Sequence, residues 1–299
     1  MREERRPPAA LRGRVFLAAE ALADGTLTPR QLRGGSWRRL LRGVYADLRL
    51  PVDHGLFCRG AMLVLPPGSV LSGRSAAWLW GGEYAAGPRD PVEACVPLGS
   101  GGRNRRGLVL RRVPVRAEHV TARDGLATMT PLRTAFEVGA THPVEVAVPV
   151  LDELLRLGVV DSGELPSFAA SWAGRPGALR ARRAFELADG GAESPPESLL
   201  RLALVRRGLS PHTQVRIRDP AGRVVARVDL GFPDERVAIE YDGSYHAEPG
   251  QFAQDRKRLN AIQAAGWIVV FVTAADLRDL DAVADKVVGL LARRRQTPL

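Results

Sequence analysis

Residues 224–242 read VVARVDLGFPDERVAIEYD: two β-prone runs joined by Pro233-Asp234-Glu235-Arg236, with acidic residues set inside the runs. This pattern constrains the chain most, because it implies a hairpin and a register together. With Phe232 facing Val237 across the turn, antiparallel pairing sets Asp229 directly opposite Glu240. Residues so opposed hold their Cβ atoms about 4.5–5.5 Å apart. Side chains alternate along a strand, so Glu240 and Asp242 share one face while Val237, Ile239 and Tyr241 take the other. A slip by one residue would undo the opposition. Acidic residues are depleted in strands, and like charges directly opposed destabilise a sheet. Something must offset that cost. A divalent cation with hard oxygen ligands, Mg²⁺ or Mn²⁺, does so. On this reading Asp229, Glu240 and Asp242 are metal ligands and catalytic groups. An ion there polarises a phosphodiester, activates water and stabilises the leaving oxygen. The alternative is an exposed hairpin face whose acids are neutralised by Arg227 or Arg236.

The flanking sequence supplies the rest of a domain. Ser194-Pro195-Pro196-Glu197 opens a helix that ends at Gly208, and residues 213–218, 224–232 and 236–242 are expected strands. A helix follows over residues 251–265, stopped by Gly266. Then comes WIVVFVT, residues 267–273, a fully apolar strand expected at the buried centre of a sheet. A last helix is expected over residues 276–294. The order is αβββαβ with a closing helix.

Nearer the amino terminus, residues 15–22 have helical apolar spacing and stop at Asp24-Gly25. Thr28-Pro29-Arg30-Gln31 is a capping box with proline at the first helical position. Ser36 is placed to cap a second short helix over residues 37–41, ahead of the β-prone Gly43-Val44-Tyr45. Helix, helix across a glycine turn, helix and strand is the order of a winged helix-turn-helix. Arg38, Arg39 and Arg42 then lie on or beside its recognition helix, facing phosphates; a small helical bundle with solvated arginines is the other reading. Between these regions, residues 92–97 and 108–113 read as strands and residues 144–157 and 177–187 as helices. The arginines from Arg103 to Arg116 form either a backbone-binding patch or a solvated loop. Glycine and proline seams suggest three domains: 1–91, 92–189 and 190–299.

Composition narrows the class. With 45% apolar and 25% charged residues the chain forms ordinary globular cores, and no apolar run approaches the roughly 20 residues of a membrane helix. The charged opening MREERRPPAALRGR does not read as a signal peptide. Cys58 and Cys95, far apart, exclude a disulfide scaffold and argue against structural zinc, so a cytoplasmic setting is expected. A net charge of +10 fits a nucleic-acid partner. Lys257 and Lys286 are the only lysines, however, and a GC-rich genome produces such an arginine bias as readily as a binding surface does.

Two family resemblances follow. LTPRQL and LLRGVYAD, then VLSGRSAAWLWG, and more weakly VEACVP and TPLRTAFEVGA, resemble the amino-terminal half of AbiEi-type antitoxins of abortive-infection systems, up to about Leu157. There the resemblance implies a winged helix that binds DNA and reads promoters, with Arg38, Arg39 and Arg42 in that role. Farther on, Glu197, Asp229, Glu240-x-Asp242, His246, Asp255-Arg256 and Gly266-Trp267 fall in an order that resembles the domain of unknown function 559 family. That family is related to very-short-patch repair endonucleases and to the PD-(D/E)xK nucleases. It implies phosphodiester hydrolysis with Mg²⁺ at Asp229 and Glu240. Asp242 stands where the superfamily has lysine. Either Asp242 is a third acidic ligand, or Lys257 or Arg256 on the following helix supplies the cation, Arg256 also meeting DNA. Glu197 is either an accessory acid or the third residue of a capping box, His246 either a general acid–base or a loop histidine. Asp255 is either paired to an arginine or near the site.

The expectation is a mixed α/β protein: a winged helix plus an αβββαβ restriction-endonuclease-like domain, acting as a Mg²⁺-dependent DNA endonuclease or nickase. The alternative is a non-catalytic, antitoxin-like DNA-binding regulator with a decayed nuclease domain, and an RNA-directed nuclease is a third. The expected partner is DNA, with no membrane association and with any toxin or repair partner undetermined.

Overall fold

The computed structural model describes residues 8–101, 104, 106–243 and 251–296, the side chains of 251–253 excepted, and its architecture is mixed α and β. The chain divides into two units, Met1–His142 with Leu157–Arg182, and Pro143–Arg156 with Arg183–Leu299.

The first unit opens with β1 (Val15–Leu17), α1 (Ala18–Ala23), α2 (Pro29–Leu32), β2 (Trp37–Leu41) and β3 (Val44–Asp47). The capping box forms as expected: the Thr28 hydroxyl accepts from the Gln31 amide, and the Gln31 side chain takes the Thr28 amide. The helix expected over residues 37–41 is instead a strand. Gly43, at φ 78°, turns the chain so that Leu41 pairs with Val44 and Trp37 with Asp47. In the sheet β1-β3-β2 every one of these residues except Leu40, which falls at a bulge, finds a partner on β3. Two short helices followed by a β-hairpin, the wing, stand where three helices and a strand were expected. Arg38, Arg39 and Arg42 therefore sit on the wing, not on a recognition helix. Arg39 and Arg42 are exposed and Arg38 is half-buried.

Beyond the wing come α3 (His54–Met62), β4 (Val70–Leu71), α4 (Gly73–Leu79), β5 (Val92–Val96), β6 (Leu108–Arg112), β7 (Val120–Arg123), β8 (Leu126–Met129) and α5 (Pro131–Thr141). Next in the chain is α6 (Val144–Arg156), which belongs to the second unit, then α7 (Glu164–Ser171) and α8 (Ala178–Leu187). The five strands order as β6-β5-β4-β8-β7. Leu40, Val44 and Ala46 of the wing share one core with Leu56, Leu71, Ala94 and Leu108, so the wing is fastened to this sheet. Beneath it lies a buried charge network. Glu137 meets Arg111 at 2.8 Å and also Arg133, whose guanidinium stacks 3.8 Å over the Trp172 ring. Glu93 meets His142 at 3.1 Å. Arg111 is thus part of this network, and Arg116 pairs with Glu118 at 3.3 Å; Arg103 and Arg105 lie outside the described residues.

The second unit adds α9 (Pro195–Arg206), β9 (His212–Arg218), β10 (Val224–Phe232), β11 (Val237–Asp242), α10 (Gln251–Ala264), β12 (Ile268–Thr273) and α11 (Leu280–Gln296). The expected αβββαβ order is present. The sheet runs β12-β11-β10-β9, antiparallel except for the parallel β11–β12 pair. One face packs Leu230, Val237, Ile239 and Val270 on Leu200 and Leu204 of α9 and Val287 of α11. On the other face Ala226, Val228 and Ala238 pack on Ile262 of α10. The apolar WIVVFVT run is not at the centre. The parallel crossover through α10 delivers β12 to the outside of β11, leaving Ile268 39% and Phe271 46% exposed, while Val237, Ala238 and Ile239 of β11 are fully buried. The Gly190-Gly191 seam is a close approach: a Cβ on Gly191 would lie 2.1 Å from the Thr213 hydroxyl. Beside it Asp152 of α6 accepts from Ser198 at 2.7 Å, Arg201 at 2.8 Å and the Asp189 amide at 2.7 Å. Burial nonetheless pushes the Asp152 carboxyl above its ordinary range.

Candidate active site

The hairpin register is the expected one, with Phe232 paired to Val237, Gly231 to Ala238 and Leu230 to Ile239. One step further the ladder is interrupted. On the β9 side Val228 pairs with Val215 and Leu230 with Thr213, and the intervening Gln214 has φ 51°. Val228 packs toward α10 and Leu230 toward α9 and α11, although residues two apart normally share a face. The alternation changes at Asp229. Freed from the ladder there, the Asp229 carboxylate accepts the backbone N–H of Tyr241 at 2.8 Å. A left-handed non-glycine residue beside it stores backbone strain, of the kind that collects at functional sites.

Three carboxylates gather at this kink. Desolvation, the largest influence, pushes the Asp229 carboxyl up to about 6; the Tyr241 amide opposes it, and the charges of Glu197 and Glu240 push the same way as burial. Glu240 is 8% exposed and held by a two-pronged pair with Arg258 of α10, one arm at 2.9 Å. The same guanidinium donates to the Arg227 carbonyl at 2.9 Å. Glu197, also buried, does two things. It accepts the Glu193 amide at 2.9 Å and the Ser194 hydroxyl at 2.7 Å, fixing the start of α9. It also accepts from the Gln214 side chain at 3.2 Å, which ties it to the strained residue next to Asp229. Arg227, one alternative neutraliser of the acids, pairs instead with Glu193 at 2.9 Å.

The remaining expected residues are more scattered. Asp242 lies at the exposed end of β11, paired in register with Thr273. Among the described residues no three His, Cys, Asp or Glu side chains are grouped to hold one metal ion, so neither Asp229, Glu240 and Asp242 nor Glu197, Asp229 and Glu240 are preassembled as a triad. His246 lies outside the described residues. Asp255, Arg256 and Lys257 are exposed, and Asp255 acts on the site through its charge on Arg258. The cation that reaches Glu240 is Arg258, where the sequence pointed to Lys257 or Arg256. A signal for it is present in the chain: Arg258 stands one helical turn before Ile262, whose side chain packs on the sheet.

Residues 69–187 match the family model of the AbiEi antitoxin C-terminal domain. The match includes VLSGRSAAWLWG, VEACVP and TPLRTAFEVGA and begins beyond the wing. Two curated relatives from Mycobacterium tuberculosis are each 36% identical over 173 residues: uncharacterized protein MT2308 of strain CDC 1551 / Oshkosh and uncharacterized protein Rv2248 of strain H37Rv. The aligned part spans 57% of this chain and 62% of each relative's length. Among solved structures, that of the RV2827C protein from Mycobacterium tuberculosis matches with a TM-score of 0.39 and 17% identity, over 69% of this chain and 84% of that one. No helix among the described residues is long and apolar enough to cross a membrane. The likeness to the antitoxin domain thus covers residues 69–187, and every acid of the cluster lies outside it.

Proposed function

We propose that the chain is a Mg²⁺-dependent DNA endonuclease or nickase whose exposed wing arginines help dock the substrate. The carrying observation is the charge imbalance around Asp229. Glu197 and Glu240 both act on Asp229 electrostatically, and Arg258 is the one cation among the leading influences on it within the described residues. Arg258 grips Glu240, whereas Glu197 and Asp229 accept from neutral donors, the Gln214 side chain and the Tyr241 amide among them, so the cluster holds negative charge that a divalent ion would offset. Mg²⁺ is held by one or two carboxylates together with water and substrate phosphate, so Asp229 and Glu240 suffice and Asp242 is free to serve an outer role. Such an ion, when bound, would activate water and stabilise the leaving oxygen. The protein's own groups do the rest. Gln214 and the start of α9 hold Glu197 beside Asp229, the Tyr241 amide fixes one Asp229 oxygen, and Arg258 offers a planar pair of donors suited to phosphate. Arg39 and Arg42 would neutralise phosphates and so position the duplex without reading sequence.

Plasmid nicking with Mg²⁺ or Mn²⁺, with an RNA substrate in parallel, tests this reading. Asp229→Ala and Glu240→Ala should each lose activity. A wild-type protein inert on both nucleic acids with either metal overturns it. Two observations favour a second reading, a non-catalytic, antitoxin-like DNA-binding regulator: the family match at residues 69–187 and the tight hold of Arg258 on Glu240. On that reading calorimetry finds no Mg²⁺ binding while the chain still binds DNA.

A further inference from the structure

We infer that Arg258 is a shared cation, holding Glu240 in the free protein and moving to a DNA phosphate in the complex, so that metal and DNA load together. This rests on the nuclease reading above and adds the order in which its site is assembled. In the free chain both Glu240 oxygens accept from Arg258, so a metal competes with the guanidinium for that carboxylate. Asp229 is not so occupied: its carboxylate accepts from the Tyr241 amide, a neutral donor. The latch has room to move. The Arg258 side chain is 38% exposed against 11% for Glu240, and its other anchor is a backbone carbonyl, that of Arg227, which carries no net charge. A phosphate reaching the site offers the guanidinium a bidentate partner of the same geometry as the carboxylate it leaves. Glu240 is then released to the metal at the moment when substrate is present. The coupling is reciprocal: DNA strengthens metal binding, and metal strengthens DNA binding.

Calorimetric titration of the full chain with Mn²⁺, with and without a short DNA duplex at low temperature, tests this. Wild-type protein should bind Mn²⁺ weakly alone and about tenfold more tightly with the duplex, within the usual range of such couplings. Arg258→Met should bind Mn²⁺ about tenfold more tightly than wild type without DNA, gain less from the duplex than wild type does, and nick poorly. Arg258→Lys, which keeps the charge but cannot grip both oxygens, should fall between, and circular dichroism melts check that both variants fold. If wild type binds Mn²⁺ and nicks DNA while Arg258→Met binds it no more tightly, the latch is wrong and the nuclease reading stands. If folded wild type, Arg258→Met and Arg258→Lys all fail to bind Mn²⁺, both fall.

Discussion

Two buried acid clusters, one in each unit, are held in different ways. In the first, Glu93 and Glu137 are matched by Arg111, Arg133 and His142, and the network is capped by the Trp172 ring. In the second, Asp229 and Glu240 share Arg258, while Glu197 is held by the Glu193 amide, the Ser194 hydroxyl and the Gln214 side chain. Matched buried charges are a structural device, fixing which elements meet at some cost in desolvation. In the second cluster the proposed ion would supply the further positive charge. Burial does not separate the two cases, since Glu93, Glu137, Glu197 and Glu240 are all at most 8% exposed. The supply of cations does.

The largest effect that would break this comparison is catalytic. Asp229→Ala or Glu240→Ala should reduce nicking about 10²- to 10³-fold, the range for removing a group that stabilises transition-state charge, whereas Glu137→Gln should leave nicking per folded molecule unchanged. Equal losses from both units would show the contrast to be empty. Next comes stability. Glu137→Ala strands the buried Arg133 without its acid, leaves Arg111 only Glu93, and should cost about 3–5 kcal/mol in denaturant unfolding.

Asp229 should behave in the reverse sense. Its folded value of about 6 lies above that of an unfolded aspartate, about 3.9. The folded state therefore binds more protons, and stability falls as pH rises from about 4 to about 6, the penalty being complete above that window. Asp229→Asn should accordingly melt higher than wild type at about pH 8 without metal, with the gain gone at about pH 4. A variant destabilised at the higher pH would place Asp229 among the matched acids. The smallest effect sharpens the docking role of the wing. Arg39→Ala with Arg42→Ala should weaken DNA binding and lower its salt dependence by about 0.9 for each phosphate no longer neutralised, leaving Mn²⁺ affinity in the absence of DNA as it was.

Much of the second unit is legible in its residues. The turn at 233–236, the period-2 alternation and the glycine stop at Gly266 specify the hairpin register and the αβββαβ order, and both are present. The wing is harder to read, because Trp37 to Leu41 is short and apolar in a way that suits either period, and its partner strands lie elsewhere in the chain. The place of β12 is harder still, because an apolar run reports burial on average and says nothing of which strand a crossover sets it beside.

The residues alone specify the hairpin register, because a short turn is local and leaves few registers open. Which acids come together, and what each of them meets, depends on the packing of segments far apart in the chain. Arg258, Gln214 and the start of α9 reach Asp229, Glu240 and Glu197 from distant segments, and the charge balance of the cluster is a sum over those arrivals.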